Sequence, residues 1–327
     1  MTKNLELVKE INLELNNQIN PKDILFFSGA GISIPPPTNL PCGVDLHRML
    51  LEYAELFSKE DARQLSLGLC FEETVSRLSK LHNKEDNFNQ FLNILTEVFI
   101  CREQDGLLNL VPNDYHKYFD WHLNNFGVHF TVNLDQLIET NRKSKSYIIS
   151  TKEKAIEYNY PIPTLILEGF LLKVHGDATL DEWKTQGCLI ENIQQFNTDF
   201  KNYLDYFVNN ANFVIFVGYG GVDKFDITPY FTEKNNGHFS NTNALWIEFG
   251  GGNDLRKPKK ISNDCASIIS KFNKSMVIET LHPEIILNGL FKNSPIIINA
   301  QRCDYEYNKE IDRFLKDRFD GLNSKKL

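Results

Sequence analysis

The chain has 327 residues, 42% hydrophobic and 24% charged, with 24 Phe and 12 Tyr; this excludes wholesale disorder and predicts one large domain or two unequal ones. Lys and Arg total 35 against 43 Asp and Glu, a net charge of −8, which argues against a chain built to coat nucleic acid or an anionic membrane. The six cysteines (Cys42, Cys70, Cys101, Cys188, Cys265, Cys303) form no C-x-x-C pair, so neither structural zinc nor a redox motif is expected.

Leu5, Val8, Ile11, Leu15 and Ile19 recur at steps of three and four and predict an amphipathic helix ending before Pro21. This start lacks the apolar block of a secretory signal, and no segment approaches the roughly 20 apolar residues that cross a bilayer, so a cytoplasmic chain with reduced thiols is expected. Ile24–Phe27 is a short apolar run of the kind that forms a strand buried on both faces. From Val44 to Phe126 helical spacing takes over, through Leu46, Met49, Leu50, Tyr53 and Phe57, then Phe71, Val75 and Leu78, then Phe88, Phe91, Leu92, Leu95 and Phe99. Apolar runs then return at Val128–Thr131, Leu165–Leu167, Leu171–Val174, Phe213–Val217, Ala244–Ile247, Met276–Ile278 and Pro295–Ile298.

Strands spaced by helices imply crossover connections. The expected fold is therefore α/β, a Rossmann-like and mostly parallel sheet covered by helices. It is built from residues 1–44 and 127–327, with a helical insertion at 45–126 that forms a small subdomain, caps the sheet edge or packs on the sheet. Asn235–Gly237 and Gly250–Asn253 read as turns, and the basic run Arg256, Lys257, Lys259, Lys260 reads as a solvated loop.

Four strand ends carry polar residues where α/β sheets place ligands. The first is Ser28-Gly29-Ala30-Gly31-Ile32-Ser33, whose glycines suit either a tight turn or a close approach of backbone N–H groups to an anion. Ile34 occupies the third glycine position of G-x-G-x-x-G, which argues against a standard dehydrogenase. The second is Thr131-Val132-Asn133-Leu134-Asp135; an N-cap for a helix from Gln136 accounts for Asp135 but not for Asn133. The third is Lys173-Val174-His175-Gly176-Asp177, where a lone histidine is structural or catalytic. The fourth runs from Val217-Gly218-Tyr219 to Asp223 and Asp226, two carboxylates at the start of a helix.

In this order, G-A-G-I-S, T-x-N-x-D, H-G and a strand ending in G-Y, the motifs resemble the sirtuin family over roughly Asp23 to Asn299. The resemblance implies an NAD-binding sheet in which Gly29, Ala30, Gly31 and Ser33 hold the pyrophosphate. It also implies that Asn133 and Asp135 hold the nicotinamide-side ribose and carboxamide, that His175 is the base, and that Gly218 and Tyr219 line the adenosine side. Thr131 and Asp226 join the cofactor-binding set, and Asn133, Asp135 and His175 the catalytic one.

The family's lysine deacylases usually carry Gln at the position of Val132 and two zinc-binding cysteine pairs after H-G. Here Cys188 is the only cysteine between His175 and Gly218, and Ile34-Pro35-Pro36-Pro37 replaces the G-I-P-D-F-R segment. Without zinc ligands, and with the G-Y-x-G-x-D-x-F-D stretch, the chain looks like the bacterial sirtuin-like domains of antiphage defence, which hydrolyse NAD. The resemblance thus implies an NAD glycohydrolase with NAD as substrate and no metal. The Phe- and Leu-rich insertion (Phe71, Phe88, Phe91, Leu92, Leu95, Phe99) and the lack of a recognisable sensor predict a homo-oligomer controlled by a partner protein of the same defence system. An NAD-dependent deacylase and a non-catalytic subunit that binds NAD or ADP-ribose are the alternatives. Breaking the nicotinamide–ribose bond passes through an oxocarbenium-like state, so the site needs a group that orients ribose or water, a role for Asn133, and a proton acceptor near neutrality, a role for His175.

Overall fold

A computed structural model describes residues 19–53, 60, 71, 73, 74, 93, 94, 96–99, 110–140, 147–150, 169–178, 198–221, 223, 226–249, 263–280, 282–291, 293–299 and 309–323. The helix expected before Pro21, the strand expected at Leu165–Leu167, and the loops at 250–253 and 256–260 lie outside them, apart from Ile19.

Seven strands form one sheet: β1 Ile24–Ser28, β2 Val128–Thr131, β3 Tyr147–Ile149, β4 Phe170–Lys173, β5 Phe213–Val217, β6 Asn243–Phe249 and β7 Ser275–Thr280. Every pairing is parallel and the order is β3-β4-β2-β1-β5-β6-β7. β1, β4 and β5 are buried at each residue, as strands covered on both faces must be. This is the expected α/β Rossmann-like architecture. The strands differ from the sequence pattern at two places among the described residues. The edge strand β3, three residues long, is not among the runs that the pattern predicts as strands. Pro295–Ile298 forms no strand, because Asn288 takes both backbone groups of Ile298, accepting from its N–H and donating to its carbonyl at 2.9 Å each.

The helices are α1 Gly43–Tyr53, α2 Asp114–Asn124, α3 Thr198–Asn210, α4 Ile227–Thr232, α5 Asn263–Ile269, α6 Pro283–Leu290 and α7 Lys309–Asn323. From β1 the chain moves one way along the sheet to β2, and from β4 it moves the other way through β5 and β6 to β7. Right-handed crossovers then place α2 on one face and α3, α4 and α5 on the other. The packing agrees with this. Phe26 and Ile32 pack with Tyr115, Tyr118, Phe119 and Leu123 of α2 and with Ile286, Leu287 and Leu290 of α6. Phe27, one residue on and so facing oppositely, packs with Tyr203, Leu204 and Phe207 of α3, Phe231 of α4 and Ile268 of α5.

A third cluster joins Leu46, Met49 and Leu50 of α1 to Ile94, Val98, Leu110 and Leu137, and to Ile311, Leu315 and Phe319 of α7. The helical stretch expected over 45–126 therefore divides. α2 packs on the sheet as the crossover helix between β1 and β2, whereas α1, Ile94 and Val98 pack with a helix from the opposite end of the sequence. Phe71 and Phe99 lie half-buried against this cluster; Phe88, Phe91, Leu92 and Leu95 lie outside the described residues. No helix among the described residues is long and apolar enough to cross a membrane.

Candidate active site at the switch point

The direction of the chain along the sheet reverses between β1 and β5, and open α/β sheets form their ligand crevice outside the carboxyl ends of such strands. Two loops meet there. Gly29, Ala30, Gly31 and Ser33 follow β1, with Ala30–Ser33 as a 3-10 turn. Gly218 and Tyr219 follow β5. The Gly31 N–H donates to the Gly218 carbonyl at 2.9 Å, and the Gly29 N–H to that of Val217 at 3.4 Å. A Cβ on Gly31 would lie 2.6 Å from the Gly218 Cα, and one on Gly29 would lie 2.8 Å from the Gly218 oxygen. Gly218 itself has φ +63°, the left-handed region. These glycines thus let two loops pack backbone to backbone, and the end of β5 and the loop after it accept from the N–H groups of Gly29 and Gly31, two of the residues that the sirtuin resemblance assigns to a pyrophosphate.

Tyr219 turns inward. Its ring lies 4.8 Å from Phe27 and 5.7 Å from Trp246 between centroids, inside the core on the α3–α5 face. Burial, with Asp223 close by, pushes its phenol far above the usual range.

On the α2 side of the crevice Ser33 is the centre of a buried network. Asn113 caps α2, its Oδ1 accepting from the N–H groups of Tyr115 and His116 while its Nδ2 donates to the carbonyls of Ile32 and Pro35. The Asn113 N–H in turn donates to Nδ1 of His116 at 3.2 Å. Burial pushes the His116 imidazole down to about 4, against the pull of Asp135, so the ring is neutral. Because Nδ1 accepts, the proton is on Nε2, which lies 3.0 Å from Ser33 Oγ. Ser33 also accepts from Asn133 Nδ2 at 3.2 Å and donates to Asp135 Oδ2 at 3.0 Å. One donor and two acceptor sites are all a hydroxyl has, and all three are used. The trio is not a nucleophile triad: there the imidazole stands between hydroxyl and carboxylate, whereas here the hydroxyl stands between the other two.

Thr131 fixes the start of the Asn133 loop, its Oγ1 accepting from the Asn133 N–H at 3.1 Å and from Ser28 Oγ at 3.0 Å. Asp135 Oδ1 accepts from the Leu137 N–H at 3.1 Å. The helix expected from Gln136 does not form; Leu137–Thr140 make a turn, so Asp135 caps a turn. Asn133 is 7% exposed, its amide donating to Ser33 Oγ.

Lys173, at the end of β4, lies in the interior. Its Nζ donates to the Asp135 carbonyl and to Glu139 Oε1 at 2.7 Å each, and to Asp177 Oδ2 at 3.3 Å. Burial alone would favour the neutral amine, but Glu139 and Asp177 hold its affinity for the proton above the ordinary value. One ammonium thereby ties the loop after β2 to the loop after β4.

On the opposite side His175, two residues past β4, places Nε2 at 2.7 Å from Asp226 Oδ2. β4 and β5 are separated by β2 and β1, yet this contact joins the loop after β4 to the cap residue of α4, which follows β5 in the chain. Ala30, Gly31, His175, Gly176 and Gly218 at these strand ends keep partial solvent contact. The structure thus groups the residues singled out from sequence in three sets: Gly29, Gly31, Gly218 and Tyr219; Ser33, Thr131, Asn133 and Asp135; and His175 with Asp226. It adds Asn113, His116, Lys173 and Asp177. The N-x-x-H spacing of Asn113 and His116 at a helix start was a readable capping signal. No protein-family model matches the chain, and no curated protein matches it.

Proposed function

We propose that the chain hydrolyses NAD to nicotinamide and ADP-ribose, as the NAD-depleting effector of a bacterial antiphage defence system. The observation that supports the reading is that the four motifs of the sirtuin resemblance lie at the carboxyl ends of neighbouring strands: the G-A-G-I-S loop packs against the G-Y loop, Asn133 is bonded to Ser33, and His175, two residues past β4, is bonded to Asp226. Breaking the ribose–nicotinamide bond leaves positive charge on the ribose, while nicotinamide departs as a neutral base. Such a reaction needs a fixed polar group to orient ribose or water and one proton acceptor. Asn133, held by Ser33 and Thr131, supplies the first, and His175 the second.

Incubating the purified chain with NAD, with and without an acetylated peptide, tests this. Nicotinamide and ADP-ribose should appear at the same rate in both. Turnover that requires the peptide would establish a deacylase, and binding without turnover a regulatory subunit; either overturns the reading. Control by self-association and by a partner protein belongs to the same proposal. Light scattering beside an activity assay over a dilution series checks it, and constant specific activity of a monomer would refute it.

A further inference from the structure

The contact between His175 and Asp226 carries more than the sequence assigned to either residue. Asp226 is anchored on its own side: its Oδ1 accepts from the Ile227 N–H at the start of α4, and Ile227, Tyr230 and Phe231 of that helix are buried in the core. Its other oxygen therefore points at His175 from a fixed place. The side chain of Asp226 is 3% exposed and that of His175 12%, so both are largely withdrawn from solvent, the carboxylate more than the imidazole. Burial by itself would favour the acid, but the charge and hydrogen bond of His175 and the Ile227 N–H keep the Asp226 carboxyl below its ordinary value. An ionised carboxylate accepts only, so the nitrogen facing it must carry a proton.

We propose that Asp226 is the positioning residue of His175, fixing the orientation of the imidazole with its proton on Nε2 and leaving Nδ1 as the basic nitrogen of the ring. This rests on the NAD-hydrolysis reading for its catalytic part. As water attacks the ribose C1′ and the C1′–nitrogen bond breaks, nicotinamide leaves with the bonding pair and the proton of the water passes to Nδ1. The resulting imidazolium is stabilised by Asp226 and returns the proton to solvent after ADP-ribose departs.

A divalent cation is the competing occupant, because ligand atoms of His175, Asp223 and Asp226 all lie within 4.8 Å of one another. The geometry favours a proton. Nε2 and Oδ2 are 2.7 Å apart, a charge-assisted hydrogen-bond distance, whereas tetrahedral ligands at about 2.1 Å from an ion stand about 3.4 Å from each other.

Asp226→Asn keeps an acceptor for the Ile227 N–H and removes the charge. Its kcat should fall about 10²- to 10⁴-fold with KM within about threefold of the parent. In a His175→Ala background the same change should cost nothing further. ¹⁵N spectra of the imidazole, read without any turnover, should show the proton on Nε2 in the parent and a tautomer mixture in Asp226→Asn. If Asp226→Asn does not fold, Asp226→Ser, which also keeps a cap acceptor, is read in the same way. A rise in KM at constant kcat would make Asp226 a substrate contact and overturn the proposal. So would a further loss in the His175→Ala background, a proton found on Nδ1, or loss of the Nε2 proton signal on adding Zn²⁺ or Mn²⁺ with a gain in activity. The expected tautomers in a chain that cleaves no NAD would support the positioning contact and overturn the NAD reading alone.

Discussion

His116 donates its Nε2 proton to Ser33 Oγ across 3.0 Å, joining the first turn of α2 to the loop after β1. Through Ser33 the contact reaches both Asn133 and Asp135, so a helix outside the four motifs sets the geometry of two of them.

His116→Ala removes that donor and leaves the Asn113 N–H without its acceptor. A buried group deprived of its partner costs about 1–3 kcal/mol, and the lost ring adds a cavity cost. We expect a denaturant midpoint lowered accordingly and NAD turnover lowered by at least about tenfold, since misplacing a positioned group costs up to about 10². Turnover equal to the parent would show that the Ser33 network does not govern Asn133.

Acid should destabilise the chain through its buried histidines. Burial holds His47 and His116 at about 4 and His122 at about 3, against 6.5 for the free side chain. Between those values the unfolded chain binds protons that the folded chain does not. Stability is therefore complete above pH 6.5 and declines as pH falls towards 4, by up to about 1.4 kcal/mol per pH unit for each histidine. Urea titrations from pH 7.5 to 4.5 measure the slope, and replacing His122 by Gln should flatten it.

Gly31→Ala tests the loop contact apart from any ligand. Its methyl would meet the backbone of Gly218, which no side-chain rotation can relieve. A loss of about 1–3 kcal/mol is expected in thermal unfolding without NAD. An unchanged melting temperature with weaker NAD binding would instead give the glycine to the ligand.

Lys173→Met should be the costliest of the single changes. It fits an apolar chain into the same space but leaves Glu139 and Asp177 buried without their ammonium. Removing one member of a buried ion pair costs about 3–5 kcal/mol. Adding Glu139→Gln should recover part of that stability, and a double variant no better than the single would locate the cost elsewhere.

Local pattern was enough for much of this. Ile24–Phe27 and Phe213–Val217 are so uniformly apolar that only strands covered on both faces suit them, and the polar residues that follow them, like those after Val128–Thr131, mark the candidate site in the sequence. What local pattern could not determine was distance along the sheet. Nothing near Pro295–Ile298 says that Asn288 will take its hydrogen bonds in place of a neighbouring strand, and nothing near Leu46 says that its packing partners stand beyond residue 310. The site divides in the same way. Gly29, Asn133 and His175 announced themselves by type and position. The pairing of Gly31 with Gly218, of Ser33 with His116, and of His175 with Asp226 arises only when the sheet order β4-β2-β1-β5 brings segments 51 to 187 residues apart to one edge. Hydrogen bonds decide the roles of these polar residues, and their partners are chosen by the tertiary fold.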